Sequence, residues 1–183
     1  MNTANIRLLI LSVLLLIVCP LSGEEFLRID KNAMRGALIN RGDTLTNGGD
    51  TLMLFPISCG RGYGHKQKKN DLRTPEGTYT IIGIQDASAW GHDFLDGHGY
   101  IKHAYGPWFF RLSFGSGIGI HGTHDSGSMG LRASEGCIRL LNEDLQRLRS
   151  HVHKGMRVEI LPDTAVHIPT PMISLIPVAP PVL

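Results

Sequence analysis

The residues of this chain whose types and spacing best suit chemistry lie in one stretch, "GIGIHGTHDSGSMGLRASEGCIRL", Gly117 to Leu140. His121 closes the apolar run Ile118-Gly119-Ile120, and Cys137 follows sixteen positions later, between Gly136 and Ile138. A thiolate, not a thiol, attacks carbonyl carbon, so a catalytic cysteine needs a base or positive charge beside it. His121 at a strand end is how a rigid element delivers an imidazole to a cleft. Gly136 removes a side chain where a carbonyl must approach, and its N–H is free to face a developing oxyanion. Taken singly, each residue has a plainer reading, because a lone cysteine is usually a small core hydrophobe and a strand-end histidine is usually structural.

The two residues also stand in a recognisable context. "HGT" at His121 to Thr123, then Gly130, then "SEGCIRL" at Ser134 to Leu140, resembles the signature of the L,D-transpeptidase (YkuD-type) catalytic domain family. "TPEG" at Thr74 to Gly77 resembles that family's Thr-Pro-x-Gly turn, and "FPISCG" its strand ending in glycine. The resemblance runs from about Glu25 to Leu161. It implies a mainly β fold, a β-sandwich or barrel with one late α-helix, acting on peptidoglycan stem peptides without metal or organic cofactor.

Carried over residue by residue, the resemblance makes Cys137 the nucleophile and His121 the base, with the Gly122 carbonyl orienting the imidazole. The N–H groups of Gly136 and Cys137 would be the oxyanion donors. Ser134, Arg139, Thr123 and Gly130 would shape the substrate pocket, Arg139 meeting a carboxylate through its planar fork. A carbapenem adduct on Cys137 is implied as well. One position departs from the family pattern: Glu135 stands where a histidine is usual between Ser and Gly. A carboxylate facing the sulfur would disfavour the thiolate, so Glu135 is expected to point away.

The elements that must position these residues are short strands. "EFLRID" (Glu25 to Asp30) and "GALIN" (Gly36 to Asn40) read as an opening hairpin, with Arg41-Gly42-Asp43 as the next turn. "TLMLFPISCG" (Thr51 to Gly60) reads as a buried strand that Pro56 demotes to an edge or bulge. Thr78 to Ile84 is a β-branched run after the Pro75-Gly77 turn, and "WFFRLSF" alternates at Phe109, Arg111 and Ser113. After Cys137 the period changes: Asn142 is the expected N-cap of a helix carrying Leu145, Leu148 and Val152 on one face, stopped by Gly155. "MRVEIL" (Met156 to Leu161) is the last strand.

Composition frames these elements. The chain has 183 residues, 22 glycines and 10 prolines, which favours one turn-rich β domain over a helix bundle. A formal net charge of +2 is too small for the basic footprint of a nucleic-acid binder. The basic run "HKQKKNDLR", His65 to Arg73, is read as a solvated loop. Residues 1–23 have a leader's composition, with Arg7 ahead of an apolar run too short to span a bilayer comfortably. The chain is therefore expected to be exported to the periplasm or cell envelope of a bacterium. The domain proper is 24–161, and 162–183 is a proline-rich tail.

Two rival readings stand beside the enzyme. In the first, Cys59 and Cys137 form a disulfide in an oxidising compartment, and the chain is a non-catalytic wall-binding module. In the second, His92, Asp93, Asp96, His98 and His103 gather a zinc ion for a hydrolase. The sequence sets no oligomeric state.

Overall fold

The computed structural model describes residues 23–42, 49–94, 97, 99–115 and 117–164. The expected leader apart from Gly23, Asp43 of the expected turn, Asp96, His98 and most of the expected tail lie outside them.

The fold is mainly β with a single α-helix among the described residues. Strands β1 (Glu24–Asp30), β2 (Arg35–Arg41) and β3 (Asp50–Pro56) form a meander, and β4 (Cys59–Gly60) follows. Next come β5 (Gly77–Asp86), a small hairpin of β6 (His92–Asp93) and β7 (Tyr100–Ile101), then β8 (Trp108–Leu112) and β9 (Gly119–His121). The last elements are β10 (Arg132–Ser134), β11 (Ile138–Arg139), helix α1 (Asn142–Leu148) and β12 (Arg157–Ile160).

Eight strands make one mixed sheet in the order β11-β9-β8-β5-β12-β1-β2-β3, and β10 pairs with β4 in a separate ladder. The sheet curls until its ends meet. Ser58, two residues beyond β3 at one edge, exchanges backbone hydrogen bonds with Arg139 of β11 at the other, at 2.9 and 2.8 Å. Closure of this kind removes open edges that would otherwise invite strand addition. It also brings the segment after β3 against β11, the strand paired with β9 and its His121.

Inside the curl, Leu27, Ile29, Leu38, Ile81, Phe110, Leu112, Ile120, Ile138 and Val158 form one core with Leu145 and Leu148 of α1. Each fully buried aliphatic or aromatic side chain contributes roughly 1.5–3 kcal/mol. Ile120 and Ile138, paired across the parallel β9–β11 ladder, anchor the residues that flank them, His121 and Cys137. The core therefore fixes the two chemical groups.

Three expectations need correction. Thr51 to Gly60 is not one buried strand: β3 stops at Pro56, sits at the sheet edge as Pro56 suggests, and leaves Leu54 62% exposed. Only one neighbour covers an edge strand, which is why its apolar residues stay in solvent. Asn142 does not cap the helix. Leu141 holds that place without a side-chain bond, because the Asn142 amide is engaged elsewhere. The helix also ends at Leu148, well before Gly155, where the Ser150 hydroxyl takes up the Arg147 carbonyl. The buried face Leu145, Leu148 and Val152 stands as read.

The residues after β12 pack closely as far as Thr164. Asp163 pairs with the fully buried Lys31 at 3.2 Å and with Arg132, and accepts the Gly64 N–H at 2.6 Å.

Candidate active site

His121 and Cys137 line the same cleft, together with Ser134, Glu135, Arg139, Tyr105, Phe94 and Lys66; it encloses about 170 Å³. The parallel register places Arg139 opposite His121, one step beyond the Ile120–Ile138 pair. Strand β9 thus presents the imidazole and the turn before β11 presents the sulfur.

The His121 ring is 3% exposed and sits between two aromatic rings. Phe109 of β8 stacks on it at 5.6 Å and 14°, and Tyr105 lies against it at 4.7 Å. Nδ1 lies 2.7 Å from the Gly122 carbonyl, an acceptor, so Nδ1 carries the proton and Nε2 keeps its lone pair. Burial pushes the imidazole pKa from 6.5 down to about 3; the Gly122 carbonyl opposes this, and the charge of Arg139 reinforces it. The ring is thus neutral throughout the physiological range, which is the form a base requires.

Burial pushes the Cys137 thiol up from its ordinary value. The Gly119 N–H and the cations of Arg139 and Lys66 work against that rise, while Glu135 adds to it. The thiol lies 3.7 Å from the Gly117 carbonyl. Raised thiol and lowered imidazole together mean that the resting pair is uncharged.

The turn Ser134 to Cys137 is tightly bonded. The Ser134 hydroxyl donates to the Cys137 carbonyl at 2.5 Å and accepts the Gly136 N–H at 3.1 Å. The expectation that the Gly136 N–H is a free oxyanion donor is therefore corrected, since Ser134 already takes it. Gly136 itself has φ +135, and a Cβ there would come within 2.7 Å of the Arg73 carbonyl oxygen, so only glycine fits.

Glu135 does not point away. It lines the cleft, and His92 of the β6–β7 hairpin lies 3.1 Å from its carboxylate. Arg139 is 5% exposed, has its guanidinium over the Phe94 ring at 4.9 Å, and faces the cleft as the pocket role requires. Thr123 and Gly130 are not part of the cleft lining. The Thr123 backbone pairs with the Asn142 amide at 2.9 and 3.1 Å, its hydroxyl bonds Asp125, and Gly130 donates to the Ile57 carbonyl at 2.9 Å.

Sequence reasoning missed several participants. Lys66, read as part of a solvated loop, is 5% exposed, paired with Asp71 at 2.7 Å, and faces the cleft. The run's single acid, Asp71, was the available signal. Tyr105 and Phe94 carried no signal, because nothing local tells a cleft aromatic from a core one. Asn142 was legible only as a cap.

The disulfide reading loses its geometry. Cys59 is turned into the core beside Met34, 3.9 Å from its sulfur, and both Cys59 and Cys137 are free thiols. His92 goes to Glu135 and His103 to the Ser88 carbonyl, and among the described residues no three metal-ligating side chains converge.

Known proteins resemble this chain in sequence and in fold. A protein of Escherichia coli K12 named "Probable L,D-transpeptidase ErfK/SrfK" is 31% identical over 124 residues, 61% of this chain and 38% of that protein. Among solved structures, an L,D-transpeptidase from Mycobacterium smegmatis superposes with TM-score 0.53 at 23% identity, covering 75% of this chain and 58% of that one. The helical cell shape determining protein Pgp2 of Campylobacter jejuni, as its K307A mutant, superposes with TM-score 0.59 at 22% identity, covering 78% and 49%. The chain spans roughly two to three fifths of the length of these relatives. The L,D-transpeptidase catalytic domain model (YkuD) matches residues 27–160, the span that holds the curled sheet, the cleft and both chemical groups, and the chain belongs to that family.

Proposed function

We propose that the chain is an exported cysteine acyltransferase of the bacterial cell envelope that acts on peptidoglycan stem peptides. The observation that carries this reading is the convergence of Cys137 and His121 on one cleft, with the His121 Nδ1 proton tied to Gly122. A bonded Nδ1–H leaves Nε2 to accept a proton.

The Cys137 sulfur attacks the carbonyl carbon of the third stem residue as His121 Nε2 takes the thiol proton. The C–N bond to the terminal D-alanine breaks, and the imidazolium gives its proton to the departing amine. A thioester on Cys137 remains. The amine of a second stem then attacks the thioester, loses a proton to His121, and expels the thiolate, which makes a cross-link between third residues. With water as acceptor the same steps trim the stem to a tripeptide. Because the resting pair is neutral, proton transfer accompanies attack in both halves. Arg139, buried in the cleft wall, is the carboxylate-binding group for the donor.

The test is incubation with tetrapeptide stems followed by intact mass spectrometry. Free D-alanine and a transient acyl adduct on Cys137 are expected, with a cross-linked dimer when an amine acceptor is supplied. No adduct and no D-alanine from folded, reduced protein would defeat the reading. Tripeptide without dimer at any acceptor concentration would narrow it to trimming.

A further inference from the structure

The turn that presents Cys137 is clamped from both sides, and the second clamp comes from a residue far away in sequence. Thr74 is fully buried. Its hydroxyl accepts the Gly60 N–H at 2.8 Å and donates to the Gly136 carbonyl at 3.0 Å. A threonine hydroxyl has one proton, so with an N–H already pointing at its oxygen, that proton goes to Gly136. The chain of bonds runs from β4, through the turn before β5, to the residue preceding the nucleophile.

The Gly136 carbonyl and the Cys137 N–H belong to one peptide unit. No cis bond occurs among the described residues, so the two groups point to opposite sides of a rigid plane. Fixing the carbonyl toward the interior fixes the N–H toward the other side, where the Cys137 side chain opens on the cleft. The neighbouring N–H, that of Gly136, is consumed by Ser134. Within the turn, Cys137 therefore supplies the donor available to an oxyanion.

We infer that Thr74 is a positioning residue for acyl transfer: through its hydrogen bond to the Gly136 carbonyl it aims the Cys137 N–H at the oxygen of the carbonyl under attack. The inference rests on the acyltransferase reading of the site. Thr74 touches no substrate and carries no proton of the reaction. Its contribution appears only as negative charge grows on the carbonyl oxygen, where one aligned donor is worth about 10²–10³ in rate.

That dependence on charge separates positioning from structural support. Alkylation of Cys137 by iodoacetamide displaces iodide from a saturated carbon and forms no oxyanion. Acylation by imipenem opens a strained amide through a tetrahedral oxyanion. Thr74→Val keeps the shape of the side chain and removes the hydroxyl. Acylation by imipenem is expected to slow roughly 10–100-fold in Thr74→Val while alkylation stays within about twofold of wild type. Thr74→Ser, which keeps the hydroxyl, is expected to acylate and to alkylate at rates close to wild type.

Equal loss in both reactions, or no loss in either, would overturn the inference and leave the acyltransferase reading standing. Failure of imipenem to acylate wild type while iodoacetamide labels Cys137 would overturn both. Should circular dichroism show Thr74→Val unfolded, Thr74→Ala carries the same comparison. It leaves room for a water between Gly60 and Gly136, and a selective loss of roughly tenfold in acylation is expected.

Discussion

Burying a histidine in neutral form makes the fold sensitive to acid, and the size of that effect follows from the site. His121 is 3% exposed, and its folded pKa of about 3 compares with 6.5 for a free imidazole. Between these values the unfolded chain binds a proton that the folded chain does not, so stability falls as pH drops through 6.5 and stops falling only below about 3. At pH 5 an unfolded imidazole is protonated by about 30 to 1 while the folded ring stays neutral, a cost of roughly 2 kcal/mol relative to neutral pH. For a domain of this size that is a loss of roughly 4–8 °C in melting temperature.

The assay is thermal unfolding by circular dichroism at about pH 7 and pH 5 for wild type and His121→Gln, since glutamine does not titrate. The variant has its own pH-independent change in stability, so the informative quantity is the difference between the two pH shifts. Carboxylates held below their ordinary range, Glu76 and Asp163 among them, also lose stabilisation as pH falls. They are present in both proteins and cancel. His121→Gln is expected to lose less on acidification, by the roughly 2 kcal/mol above. Equal pH shifts in the two proteins would refute the depressed imidazole, and with it the neutral resting pair.

Cys137→Ala is expected to remain folded and lose several orders of magnitude in D-alanine release; a folded, active variant would remove the cysteine from the mechanism. Glu135→Gln removes a like charge that raises the thiol, so iodoacetamide alkylation near neutral pH should accelerate roughly two- to fivefold, and an unchanged rate would show that the carboxylate is screened from the sulfur. Gly122→Ala would place a Cβ 2.1 Å from the Asn142 side-chain oxygen, breaking its bond to the Thr123 N–H; a destabilisation of about 2 kcal/mol or more is expected by denaturant unfolding, and a near-neutral result would show that α1 gives way.

Legibility in the sequence followed how local each signal was. Strands β1, β2, β5 and β12 announced themselves because alternation and β-branching are properties of the segment itself. The turn that carries Cys137 was legible through the resemblance of "HGT" and "SEGCIRL" to a family signature, since each residue taken singly had a plainer reading. What stayed hidden depended on partners distant in the chain. Asn142 looks like a cap until Thr123 is folded against it, and Glu135 looks free to turn outward until His92 arrives from the β6–β7 hairpin. Lys66 looked solvated because five of the nine residues from His65 to Arg73 are Lys, Arg or His, and only the closed sheet shows which of them is enclosed.

These hidden partners share one physical consequence. A pre-formed thiolate–imidazolium pair needs surroundings that hold two opposite charges, whereas loss of solvent holds the imidazole well below its ordinary value and the thiol above its own, and the Arg139 and Lys66 cations oppose the thiol's rise without cancelling it. The sulfur is then a poor nucleophile until a carbonyl oxygen stands where the Cys137 N–H points, because only then does negative charge leaving sulfur have a place to go. Reactivity is thereby tied to a bound acyl group. The same arrangement predicts a simple contrast: the unliganded protein should react slowly with iodoacetamide at neutral pH, slower than glutathione, yet acylate readily with a strained amide. Fast alkylation of the resting protein, with a pH midpoint well below that of a free thiol, would contradict it and restore the ion pair.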